Sequence, residues 1–169
     1  MKKYIFIIFL FCLSTQAQEI EWISFEKAIE LNKKNPKTIL IDVYTDWCGY
    51  CKKMDHITYE NPVIATIINN NYYAVKLDAE QTTPILYKGK EYKFIKQGKK
   101  GYNELAANIL HGEMSYPSTV FMDQDERLIQ KLPGYLDPKE MEPILLYFAQ
   151  QNFLTVSWET FKEEFVSNL

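Results

Sequence analysis

The chain has 169 residues, with 19 Lys or Arg against 22 Asp or Glu, a formal charge of −3 and a mean hydropathy of −0.28. That length suits one domain with a proper core. The acidic balance argues against nucleic acid as a partner.

Lys2 and Lys3 precede an unbroken apolar run from Tyr4 to Leu13, followed by Ser14, Thr15, Gln16 and Ala17. This is the layout of a secretory signal peptide, residues 1–17, cleaved after Ala17. The run is too short to span a bilayer comfortably, and an uncleaved anchor is the alternative. Cleavage removes two lysines and no acid, which takes the charge from −3 to −5. It also removes Cys12, leaving Cys48 and Cys51 as the only thiols. No repeat, low-complexity tract or Gly/Ser linker interrupts residues 18–169, which read as one domain with a C-terminal helical tail.

Ser24 caps a predicted helix through Phe25, Ala28, Ile29 and Leu31 towards Asn35, and Pro36 ends it. Thr38 to Tyr44 is apolar on both faces except at Asp42, the pattern of a central parallel strand. The thiols open the next helix, expected to continue through Met54 and Ile57 until Pro62 breaks or bends it before Val63 to Ile68. Tyr72 to Leu77 reads as a second buried strand, residues 84–101 as a hairpin, and Asn103 to Leu110 as a short helix stopped near Gly112. Ser118 to Met122 and Leu128 to Leu132 flank a polar turn and form an antiparallel hairpin. Asp137, Pro138 and Glu140 give an N-cap, a first-turn proline and a capping-box glutamate for a helix through Phe148. Strand, helix, strand, helix, hairpin, helix argues an α/β sandwich, a central mixed β-sheet flanked by helices.

Two cysteines separated by two residues suit half a metal site, a structural disulfide or a redox pair. The metal reading needs two more ligands, and neither His56 nor His111 stands at a spacing that completes a zinc site. No metal and no cofactor is expected, and neither histidine is given a role. A disulfide across so small a loop restricts the unfolded chain little, which weakens the structural reading. A redox pair fits best. Cys48, where the helix begins, is the attacking thiol because unpaired N–H groups there stabilise a thiolate, while Cys51, one turn deeper, resolves the mixed disulfide. Gly49 allows a tight turn and Trp47 shields one side of the pair. Asp42, if buried, has a raised pKa and exchanges a proton with Cys51; a merely hydrogen-bonded carboxylate is the alternative.

Trp47-Cys48-Gly49-Tyr50-Cys51-Lys52 resembles the active-site motif of the thioredoxin superfamily, with Tyr50 in place of the usual proline. Asp42 stands at the family's buried-aspartate position, Lys76 at that of the neighbouring strand lysine, and Gly134 at that of the glycine before the last helix. Tyr116-Pro117-Ser118-Thr119 resembles the loop that carries the family's cis-proline facing the thiols; the intrinsic penalty of the cis form at X-Pro is only about 0.5–1 kcal/mol. The run Asp46 to Val63, followed by Val75 to Asp78, is similar to the C-terminal domain of the transmembrane thiol:disulfide interchange reductase. The resemblance implies a thioredoxin-like sandwich and a thiol:disulfide oxidoreductase of a Gram-negative periplasm. Its catalytic residues would be Cys48, Cys51 and Asp42, and its substrate-binding residues Trp47, Gly49, Tyr50, Tyr116 and Pro117. The implied partners are disulfide-containing proteins and a membrane electron donor, the chain itself being a monomer.

Residues 80–112 exceed the corresponding thioredoxin segment, so substrate identity does not carry over. Six lysines against one glutamate between Pro84 and Gly101 read as a solvated hairpin edge guarded by charge, or as a dock for an acidic partner. Trp158, Phe161 and Phe165 form a helical stripe that packs on the core. Two other functions use the same scaffold: a disulfide isomerase, which requires dimerisation, and a binding module or metallochaperone without turnover.

Overall fold

A computed structural model describes residues 19–169; the expected signal peptide and its expected cleavage point lie outside them. α1 (Phe25–Lys34) starts at Ser24, whose side chain accepts from the Lys27 amide. β1 (Thr38–Tyr44) follows, then α2 (Gly49–Met54), a π-helical turn (Asp55–Tyr59), α3 (Pro62–Asn71) and β2 (Tyr72–Asp78). Two short hairpins come next, β3 (Ile85–Tyr87) with β4 (Lys90–Tyr92) and β5 (Phe94–Gln97) with β6 (Lys100–Asn103). α4 (Glu104–Ile109), β7 (Ser118–Met122), β8 (Leu128–Pro133), α5 (Pro138–Ala149) and α6 (Trp158–Glu164) complete the order. Among the described residues no helix is long and apolar enough to cross a membrane.

The central sheet has the order β2-β1-β7-β8, with β1 parallel to β2 and antiparallel to β7. Strand periodicity divides its side chains between two cores. Ile39, Ile41, Val43, Val75 and Val120 join Phe25 and Ala28 of α1 and Leu105 of α4. On the other face Leu40, Ala74 and Phe121 meet Ile64 and Ile68 of α3 and Met141 and Leu145 of α5. Burying each large aliphatic or aromatic side chain contributes about 1.5–3 kcal/mol, and Phe121 also stacks on Phe148 at 4.5 Å. β1, buried along almost its whole length, reads in sequence as it does because helices cover both faces.

The structure departs from sequence expectation in two stretches. The segment expected as one hairpin is two, because the chain turns at Lys88-Gly89 and again at Gly98, all with positive φ. Helix α2 does not remain α-helical through Ile57. The Glu60 amide reaches back five residues to the Asp55 carbonyl at 3.0 Å, leaving Ile57 exposed and turning Thr58 and Tyr59 inward. Asn61 then caps α3, with Pro62 in its first turn.

The capping box of Asp137 and Glu140 is present on α5, and Trp158 and Phe161 pack against the second core. Glu142 is buried in α5, where its carboxylate accepts from the Ser167 hydroxyl at 2.5 Å and the Asn168 amide at 2.7 Å, fixing the segment after α6.

Candidate active site

β1 runs into the turn Thr45 to Trp47, which delivers Cys48 to the start of α2. Cys48 is the N-cap. Its backbone N–H donates to the Thr45 carbonyl at 3.1 Å, and its sulfur accepts from the Cys51 amide at 3.0 Å. The two cysteines form a disulfide with Cα atoms 5.3 Å apart. In the dithiol form the same amide is placed to hold a thiolate on Cys48, and the first-turn N–H groups of α2 favour negative charge there. Cys51 is more enclosed than Cys48, at 2% against 5% exposure.

Trp47 and Tyr50 stand exposed on either side of the pair, at 59% and 64%. The Trp47 indole N–H donates to Glu80 at 3.0 Å, its ring meets Tyr116 edge-on at 6.0 Å, and Lys100 Nζ lies 5.1 Å from the ring centroid. Tyr50 leans towards Tyr135, over which Lys53 sits. Gly49 is not what makes the turn possible. Its backbone lies outside the left-handed region and a Cβ there would meet nothing within 4 Å.

The Tyr116–Pro117 peptide is cis. The Ser118 hydroxyl donates to the Ser115 carbonyl at 2.8 Å, and the Gly134 amide to the Pro117 carbonyl at 2.8 Å, tying the loop to the end of β8. The main-chain groups of Tyr116 have no hydrogen-bond partner among the described residues.

Asp42 lies on the face of β1 that turns towards α3 and α5, 1% exposed, with Lys76 of β2 and Thr119 of β7 as its register neighbours. Lys76 Nζ is 2.7 Å from Asp42 Oδ2 and also pairs with Asp55 from the π-helical turn. Asp42 Oδ1, the Tyr59 hydroxyl and the Thr119 hydroxyl are buried together, with Tyr59 lying against both Asp42 and Thr119 but in no hydrogen bond of good geometry. Burial pushes the Asp42 carboxyl above its ordinary range despite the pull of Lys76. For Lys76, burial favours the neutral amine, but Asp42 and Asp55 outweigh it and hold the ammonium above the usual lysine value. Neither cysteine sulfur is a hydrogen-bond partner of Asp42. Lys76 also lines a cleft of about 570 Å³ with Trp22, Asp55 and Tyr59, while Asp42 itself stays enclosed behind it.

Sequence reasoning missed Glu80, Asp55 and Tyr59. Asp55 follows Cys51 by four residues, the spacing of one helical turn, which is the only local signal it offers. Glu80 and Tyr59 become functional neighbours through contacts distant in sequence. His56 is exposed and paired with Glu60, and His111 is exposed at the end of α4.

The family model of the thioredoxin-like domain matches residues 25–149. The chain is 25% identical over 142 residues to protein disulfide-isomerase C17H9.14c of Schizosaccharomyces pombe, an overlap of 83% of this chain and 31% of that protein. It thus spans less than a third of that relative's length. Among solved structures it is similar to DsbH oxidoreductase, with TM-score 0.56 and 17% identity over 80% of this chain and 87% of the other. It is similar also to a thioredoxin from Thermus thermophilus, with TM-score 0.58 and 14% identity over 77% and 87%. Those two likenesses are of fold. The family match runs from the first residue of α1 to the last of α5 and takes in every strand of the sheet: the chain belongs to the thioredoxin-like domain family.

Proposed function

We propose that this protein is an exported thiol:disulfide oxidoreductase that reduces disulfides of other proteins. The observation that carries the reading is the Cys48–Cys51 pair, with the Cys48 sulfur already accepting the Cys51 amide at a helix start. In the dithiol form the Cys48 thiolate attacks one sulfur of a substrate disulfide. A bond forms from Cys48 to that sulfur, and the other substrate sulfur leaves as a thiolate that takes a proton from water. Cys51 then loses its proton, attacks Cys48 and releases the second substrate thiol. The substrate gains two electrons and two protons, and the enzyme retains the Cys48–Cys51 disulfide.

Asp42 is the base for Cys51 in this scheme. The two groups share no direct hydrogen bond, so this transfer needs a relay between them. Lys76, an ammonium paired with both Asp42 and Asp55, offsets the negative charge on Asp42 whenever it is deprotonated. Trp47, Tyr50 and the Tyr116-Pro117 loop form the docking face, where the free main-chain groups of Tyr116 pair with an extended substrate segment as an added strand. The apolar leader and the resemblance support a periplasmic location and recharging by a membrane donor.

Single-turnover mixing of the reduced protein with a disulfide peptide tests this. The expected result is two peptide thiols released for each Cys48–Cys51 disulfide formed, with mixed disulfide as a transient. Absence of peptide thiols would defeat the reading. Isomerase activity, suggested by a relative's name, predicts instead that scrambled disulfides are reshuffled by a dimer.

A further inference from the structure

The lysines of the second hairpin are neither spread along its edges nor paired. Of the six lysines of the insertion, Lys88 and Lys93 have carboxylate partners in Glu126 and Glu91, whereas Lys90, which lies over the Tyr92 ring, and Lys96, Lys99 and Lys100 have none among the described residues. The last three are exposed, and they line one concave groove of about 480 Å³ with Trp47. The groove's single acid, Glu80, already accepts the Trp47 indole N–H. Three unpaired ammonium groups around one concavity repel each other, and an edge-guarding role does not require that they converge.

The hairpin is held where it can act. The Asn103 amide donates to the Ala79 carbonyl at 2.7 Å, tying the base of the hairpin next to Glu80. Gly101 carries the Phe94 ring so closely that a Cβ there would collide with it, which fixes the strand bearing Lys100. Lys100 in turn covers the face of Trp47, the residue before the reactive cysteine.

We propose that Lys96, Lys99, Lys100 and Trp47 form a subsite for acidic polypeptide segments, which brings a neighbouring disulfide of the same partner to Cys48. The kinetic part of this inference rests on the oxidoreductase reading above; the binding part does not. The rest of the chain is net negative and the groove is concave, so an extended acidic segment fits where an anionic bilayer surface is repelled. Charge attraction of this kind acts mainly on encounter and is weakened by salt.

Binding is measured on the oxidised full chain by fluorescence anisotropy of a labelled, cysteine-free peptide rich in Glu and Asp, beside a neutral Ser/Gly peptide and phosphatidylglycerol vesicles. The acidic peptide is expected to bind at low salt and the neutral one not. A Lys96→Gln/Lys99→Gln/Lys100→Gln variant, with its fold checked by circular dichroism, weakens acidic-peptide binding about tenfold. In single-turnover reduction, the ratio of rates for acidic-flanked over neutral-flanked disulfide peptides falls by a similar factor in the variant. Equal binding by variant and parent, or binding to vesicles without binding to the acidic peptide, overturns the proposal. Binding of the acidic peptide by a protein that reduces no disulfide supports the subsite and defeats only the oxidoreductase reading.

Discussion

Cys48→Ser removes disulfide exchange, with single-turnover rates falling by a factor on the order of 10³ or more, whereas Cys51→Ala keeps the first attack and stalls after it. The two outcomes differ because the two sulfurs occupy different positions in the same turn. Cys48, the N-cap, has the Cys51 amide aimed at its sulfur and the exposed flanks of Trp47 and Tyr50 around it. A hydroxyl there has neither the acidity nor the polarisability to attack sulfur. Cys51 is the more enclosed and meets only the bond that Cys48 has just made. The Cys51→Ala protein therefore accumulates one substrate chain per molecule, linked through Cys48 and released by added dithiol. Intact-mass analysis after mixing with a disulfide peptide checks both. An adduct on the Cys48→Ser protein, or none on Cys51→Ala, would reverse the roles.

Asp42→Asn makes the oxidised protein more stable at pH 7, by about 1–3 kcal/mol, while slowing resolution of the mixed disulfide more than initial attack. Two effects oppose each other. Asparagine takes one carboxylate from Lys76, and leaving a buried charge without any partner costs about 3–5 kcal/mol. Lys76, however, retains Asp55 and borders the open cleft, so this cost is not incurred in full. The other effect is the burial of Asp42, which raises its pKa from 3.8. A carboxyl raised in this way binds more protons in the folded chain than in the unfolded one. Its favourable contribution is complete below the unfolded value and is lost as pH rises through the folded value. The stability difference between the Asp42→Asn variant and the parent is therefore small near pH 4 and grows towards neutrality. Urea unfolding of the oxidised proteins across that range measures it. A variant less stable than the parent by the same amount at every pH would mean that the Lys76 pairing outweighs the burial.

What could be read from the sequence was local. Asp137, Pro138 and Glu140 lie within four residues of one another, and their capping box formed as spelled. Asp42 stood out because a charge in a run apolar on both faces has no solvent to turn to. Cys48 and Cys51 announced a helix start because one turn separates them. The rest depended on partners far along the chain. Nothing near Trp47 marks Glu80 or Lys100 as its neighbours; the anchoring of β6 beside Ala79 brings them there. The π-helical turn after Met54 differs from an ordinary helix by a single residue of hydrogen-bond register, which periodicity over so short a stretch does not resolve, yet it carries Tyr59 to the buried patch around Asp42. Glu142 in the middle of α5 is buried only because Ser167 and Asn168, far along the chain, cover it. The extra hairpins were legible as an insertion and as basic, but the convergence of three lysines on Trp47 is a tertiary fact.

The most direct test of Cys48 as the activated nucleophile is the pH dependence of alkylation in the freshly reduced protein, using iodoacetamide and locating the label by peptide mass analysis. The Cys51 amide and the first turn of α2 favour the thiolate of Cys48. Label should therefore appear first on Cys48, with a midpoint below the ordinary cysteine value of about 8.5. First labelling at Cys51, or a Cys48 midpoint at or above the ordinary value, would contradict the assignment.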